Sequence, residues 1–96
     1  AEIIKGNVAL FFAEHRVTVD GKEISLTPKE FQLLSLLMEH QGIVFSREQL
    51  FSQIWGFEYY GETRTVDVHI RSLRSKLGSA ADLIETIRGI GYKIRK

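Results

Sequence analysis

The stretch that most limits what this chain can become is residues 63–77, Thr-Arg-Thr-Val-Asp-Val-His-Ile-Arg-Ser-Leu-Arg-Ser-Lys-Leu. Val66, Ile70, Leu73 and Leu77 recur at the spacing of a narrow apolar stripe on a helix. The opposite side carries Arg64, Val68, Arg71, Ser72 and Ser75, with Thr65 and Lys76 beside it. Thr63 stands where an N-cap belongs, and Gly78 where a C-cap glycine belongs. Such a helix needs a core under one face. Its other face, arginines and short hydroxyls around a lone valine, has the chemistry of a major-groove reader. An ordinary solvated helix carries similar groups, so the stretch alone leaves both readings open.

The residues before it supply the core. Glu2 to Lys5 is a short apolar-centred run, and Gly6-Asn7 is a turn signal. Val8 to Glu14 alternates, with Val8, Leu10 and Phe12 on one side. Arg16 to Val19 is a third strand, Asp20-Gly21 a tight-hairpin dipeptide, and Lys22 to Leu26 a fourth strand. A sheet this small is stable only with something packed on it. Thr27-Pro28-Lys29-Glu30 then combines an N-cap, a first-turn proline and a capping-box glutamate. The helix it opens runs to about His40 and is apolar around most of its circumference, as a central core helix must be. Ile43 to Phe45 is an extended connector. Ser46-Arg47-Glu48-Gln49 caps a second helix, which carries Leu50, Phe51, Ile54 and Trp55 and ends at Gly56.

Residues 57–62, Phe-Glu-Tyr-Tyr-Gly-Glu, form an aromatic loop that either meets a partner or folds back on the core. After the 63–77 helix, Ser79 to Asp82 is a loop of small residues. Two alternating runs then flank Gly89-Ile90-Gly91, a β-hairpin with Arg88 at its tip. The order predicts one α+β domain over 1–96. Its plan is a winged helix-turn-helix: a four-stranded N-terminal antiparallel sheet, three helices and a C-terminal β-hairpin wing over 84–95.

Charge sharpens the picture. The net charge is only +1, too small for tight binding by phosphate neutralisation alone. Residues 1–60 hold five Lys and Arg against eight acids, whereas residues 61–96 hold eight against four. Positive charge therefore gathers around the 63–77 helix and the hairpin, a sign of nucleic acid or an acidic partner. There is no cysteine, hence no disulfide framework or thiolate chemistry. No apolar run reaches membrane-spanning length, and no signal-peptide pattern opens the chain, so a cytoplasmic location is expected. A first residue of Ala1 rather than Met suggests a piece of something longer.

The blocks Leu26-Thr27-Pro28-Lys29-Glu30-Phe31-Gln32-Leu33-Leu34, Ser46-Arg47-Glu48-Gln49-Leu50, Ile54-Trp55-Gly56, Arg64-Thr65-Val66-Asp67-Val68-His69-Ile70-Arg71, Leu73-Arg74, Lys76-Leu77 and Thr86-Ile87-Arg88-Gly89-Ile90-Gly91-Tyr92, in this order and spacing, carry a resemblance. Over nearly its full length the chain resembles the C-terminal effector domain of OmpR/PhoB-type bacterial two-component response regulators. That resemblance implies a transcription factor binding tandem direct repeats in promoter DNA as a head-to-tail homodimer. It also implies an N-terminal receiver domain, outside this chain, phosphorylated through an upstream sensor histidine kinase. The loop at 57–62 would contact RNA polymerase, with Tyr59, Tyr60 and Glu62 as candidates.

The DNA-binding candidates are Arg47, Trp55, Arg64, Thr65, Val68, His69, Arg71, Ser72, Thr86, Arg88 and Tyr92. Arg71 either meets a phosphate or guanine edge or pairs within its helix with Asp67. Val68 suits a thymine methyl. Ser72 occupies a position where some members of the family carry a base-reading arginine, so its short side chain shifts the reading of bases towards Val68 and Arg71. Arg47 and Trp55 match positions that hold phosphates, although Trp55 is equally suited to the core. Thr65, His69 and Thr86 fit phosphate contacts, Arg88 fits the minor groove, and Tyr92 either divides itself between core and phosphate or is core alone. His69 has no second ligand at metal-binding spacing, and neither a metal nor a cofactor is expected. A winged helix can also serve protein–protein assembly. An enzyme is not expected: no nucleophile–base pair, carboxylate dyad or glycine-rich phosphate loop is present.

Overall fold

The computed structural model describes residues 1–56 and 61–96. Four strands come first, β1 (Glu2–Lys5), β2 (Val8–Phe11), β3 (Arg16–Val19) and β4 (Lys22–Ile24), paired antiparallel in sequence order. Short turns set that order. At the β3–β4 turn Asp20 and Gly21 both have positive φ, 53° and 79°, the backbone that a two-residue hairpin turn needs. β2 is shorter than its alternation suggests. The chain turns after Phe11, His15 takes a φ of 50°, and its N–H donates to the Phe12 carbonyl. β4 ends at Ile24, ahead of the helix cap.

Helix α1 (Pro28–Glu39) opens on the expected capping box: Thr27 accepts from the Glu30 N–H, and the Glu30 carboxylate accepts from the Thr27 N–H. Phe31, Leu33, Leu34, Leu37 and Met38 are buried, and α1 touches the first sheet, both other helices and the final hairpin. Helix α2 (Arg47–Trp55) has the same reciprocal cap between Ser46 and Gln49. Helix α3 (Arg64–Leu77) buries Val66, Ile70, Leu73 and Leu77, the stripe read from spacing. Its start differs from expectation. Thr63 is already helical, at φ −60° and ψ −22°, and its side chain caps nothing. The first amides are met by backbone instead, Thr65 N–H on the Glu62 carbonyl and Val66 N–H on that of Thr63.

One expected loop is a helix, and the extended connector holds a paired strand. Gly78–Leu83 winds as a 3-10 helix that buries Ala80 and Leu83. The connector before α2 contains a strand, β5 (Phe45–Ser46), which pairs with the hairpin. The hairpin is β6 (Ile84–Ile87) and β7 (Gly91–Ile94), and the second sheet runs β5-β7-β6. The wing is thereby stitched to the residue that caps α2. No helix among the described residues is long and apolar enough to cross a membrane.

Candidate nucleic-acid interface

The apolar stripe of α3 rests on the core and so dictates which residues face out. Arg64, Val68, Arg71 and Ser75 follow one another along the opposite side, three or four residues apart. Val68 is 63% exposed, although burying it would be favourable. Arg71 is exposed and makes no ion pair among the described residues. The helix-internal pair with Asp67 does not form. Arg47 takes Asp67 instead, its Nε lying 2.8 Å from Oδ1. The same oxygen accepts the Tyr92 hydroxyl. One carboxylate thus joins the start of α2, the first part of α3 and strand β7.

Electrostatics at this junction follow from the contacts. Burial alone would raise the Asp67 pKa, but the bonds from Tyr92 and Arg47 outweigh it and hold the carboxyl below its ordinary value. Burial and the neighbouring carboxylate both push the Tyr92 phenol up, and the bond to Asp67 raises the pKa of Arg47. Arg47 reaches Asp67 through Nε, and its guanidinium carries four further N–H donors. Arg74 extends the array. Its Nη2 donates to the Ile84 carbonyl at 2.6 Å and to Thr86 Oγ1 at 2.7 Å, fastening α3 to the wing. Arg47, Asp67, Arg71, Arg74 and Tyr92 line an open cleft of about 320 Å3. Three guanidinium groups around one carboxylate leave it net positive and shaped for an oxyanion.

The remaining candidates lie on α2, α3 and the wing. Trp55 is half-buried, stacked on Phe51 with ring centres 5.5 Å apart, and meets the edge of His69 at 5.0 Å. Thr65 and His69 are half-exposed beside the outward row. Arg64 is exposed and lies 3.6 Å from Glu62. Thr86 is exposed, and because its oxygen accepts from Arg74 its own hydroxyl proton is left to donate. Arg88 is exposed on the wing turn, where the Ile90 N–H closes on the Ile87 carbonyl and Gly89 takes a φ of 76°. Tyr59 and Tyr60 lie outside the described residues.

Two candidates have partners other than those expected. Ser72 turns towards α1, and its hydroxyl donates to Glu30 Oε2 at 2.6 Å. The Tyr92 ring is buried, 5% exposed, with its hydroxyl on Asp67. The reason in each case is a carboxylate from a distant part of the chain. Spacing along α3 or along the hairpin does not reveal such a group. Arg74, Asp67 and Glu30 were not among the candidates. The signals for Arg74 are its place one turn after Arg71 and the Leu73-Arg74 block of the family resemblance.

Winged helix-turn-helix is the class that this fold and surface define. A family model described as "Transcriptional regulatory protein, C terminal" matches residues 21–94, and the chain belongs to that family. A probable transcriptional regulatory protein of Picosynechococcus sp. is 50% identical over 90 residues, covering 91% of this chain and 36% of that protein. Among solved structures, the response regulator DrrB of Thermotoga maritima, an OmpR/PhoB homologue, superposes with a TM-score of 0.90 at 31% identity. That match covers 99% of this chain and 44% of that one. The DNA-binding domain of Klebsiella pneumoniae RstA, solved in complex with the RstA box, gives a TM-score of 0.87 at 31% identity over 98% of this chain and 96% of that one. The chain spans about a third of the length of the curated relatives it matches.

Proposed function

We propose that this chain is the DNA-binding output domain of a two-component response regulator and reads double-stranded promoter DNA in a sequence-specific way. Helix α3 enters the major groove, and the β6–β7 wing brings Arg88 to the minor groove. The observation that carries the reading is the outward row of α3. It presents Arg71, which makes no ion pair among the described residues and itself lines the positive cleft formed with α2 and the wing, and near it on the same face a valine 63% exposed. Arg71 and Val68 supply base contacts. Arg47, Thr65, His69, Arg64, Thr86 and Trp55 supply backbone contacts. Ser72 and Tyr92 act through the carboxylates they hold. The likeness to a domain solved on its DNA box supports this assignment.

The wider assembly is proposed on the same family basis. It comprises a head-to-tail pair of copies on tandem direct repeats, a receiver domain switched by a sensor histidine kinase, a cytoplasmic setting, and a polymerase contact through Tyr59, Tyr60 and Glu62. Full transcription by Tyr59→Ala and Tyr60→Ala variants would remove the polymerase contact.

Base and backbone contacts separate in one experiment. On a selected high-affinity duplex, Arg71→Ala and Val68→Ala are each expected to cost about 1–3 kcal/mol, with binding to random DNA little changed. Arg47→Ala is expected to weaken both duplexes and to reduce the salt slope by about one phosphate contact, with a further loss on the selected duplex because Arg47 also holds Asp67 of α3. Anisotropy titrations at several salt concentrations read both effects. Full cognate affinity in Arg71→Ala would remove α3 from the groove.

A further inference from the structure

The two helices of the motif, α2 and α3, are joined by residues 56–63. A turn of three or four residues dictates the crossing of the helices it joins. Eight residues do not impose that limit by their length alone. A base-reading helix depends on that crossing, and contacts outside the linker are in place to set it.

One anchor is direct. At the start of α2, Arg47 Nε lies 2.8 Å from Asp67 Oδ1 on α3. The second runs through α1. Lys29 Nζ donates to the Ile54 carbonyl at 2.8 Å, in the last turn of α2. The next residue, Glu30, is 2% exposed and accepts from Ser72 Oγ and Lys76 Nζ, both at 2.6 Å. Ser72 and Lys76 lie one turn apart in the second half of α3. The capping box and Pro28 make this first turn of α1 a fixed platform. Consecutive residues therefore grip the end of α2 and the later part of α3. Two rods, each held at two points, have a fixed angle. The other ring contact between α2 and α3, Trp55 on the edge of His69, is a non-directional packing contact.

We propose that the first turn of α1 is a positioning clamp for DNA reading: Lys29 and Glu30 set the α2–α3 angle. They thereby set how Arg71 and Val68 meet bases while Arg47 holds the backbone. The proposal rests on the DNA-binding reading above. Lys29 and Glu30 are positioning residues, since neither lies on the outward row of α3.

The charge-neutral double variant Lys29→Met/Glu30→Gln tests it. Net charge stays at +1, so attraction to random DNA is preserved. Glutamine keeps the capping box, so α1 still forms. Two readouts are taken where circular dichroism shows both proteins folded. The first is the ratio of affinities for a selected and a random duplex. The second is the distance between spin labels at Gln53→Cys and Ser75→Cys, unique thiols in a cysteine-free chain. The expected result is a ratio lowered roughly tenfold, about the worth of one base contact, with random affinity held. The label distances should broaden or shift. Lys29→Arg, which keeps a donor for the Ile54 carbonyl, should restore the wild-type ratio when Glu30 is present. Unchanged distances, or selected and random affinities falling together, would overturn the clamp. A wild-type domain with no preference between the duplexes would overturn the DNA reading and the clamp's role in specificity, while the label distances would still judge the angle.

Discussion

Gly91→Ala is expected to destabilise the domain by about 3 kcal/mol or more, because the added methyl has no room. A Cβ on Gly91 would sit 1.9 Å from the Phe45 carbonyl oxygen and 2.9 Å from the Ser46 Cα, both backbone atoms. Gly91 pairs with Ser46 in the ladder between β5 and β7, so that pairing must break. The damage reaches the DNA face. Ser46 caps α2, and the Arg47 N–H donates to the Ile90 carbonyl, so the start of α2 and the wing shift together. Urea denaturation should show the loss, and the melting temperature should fall by roughly 12–24 °C. Gly89→Ala is the control: nothing lies within 4 Å of its added Cβ, and only its positive φ is penalised, by about 1 kcal/mol. Equal stability losses in the two variants would show that the close approach is not real.

Acid should reveal the second large effect. Burial alone would raise the Glu30 pKa, but the bonds from Lys76, Ser72 and the Thr27 amide outweigh it and hold the carboxyl at about 2, against an ordinary 4.5. A carboxyl held that low in the folded state contributes stability that is full above its unfolded value. The contribution drains as pH falls from about 4.5 towards 2. Its size is roughly 3 kcal/mol when the carboxyl is fully ionised. Unfolding curves taken down this range should show the loss in the wild type. In Glu30→Gln the stability at neutral pH should already be lower and the acid slope shallower. Asp67, also held below its ordinary value, adds to the wild-type slope in the same direction and remains in the variant. Identical slopes would mean that Glu30 is not ionised against Lys76 in the fold.

What could be read from the sequence was local. The α3 stripe shows because its four apolar residues share one face of a helix. The two capping boxes show because cap and partner are three residues apart, and Asp20-Gly21 shows because one turn type needs positive φ at both positions. Strand β5 did not show. It is two residues long, and its partner Tyr92 lies far along the chain. Glu30 was legible as a cap, but not as the anion that holds α3, since Ser72 and Lys76 reach it only after the helices pack. Asp67 likewise became the hub of Arg47 and Tyr92 through tertiary placement, so Arg71 does not pair with it and makes no ion pair among the described residues. The outward row of α3 was legible in advance except at Ser72, which was read as outward and instead turns to Glu30. The cleft beside that row was not legible, because its walls come from α2, α3 and the wing.

The most direct test of the central claim is a salt series of anisotropy titrations on the unmodified domain. One duplex carries a sequence selected by this domain from a random library, and the other is scrambled. The account predicts tighter binding of the selected duplex at every salt concentration, with both affinities falling as salt rises. Binding that is equal for the two duplexes, or absent at low salt, would contradict it.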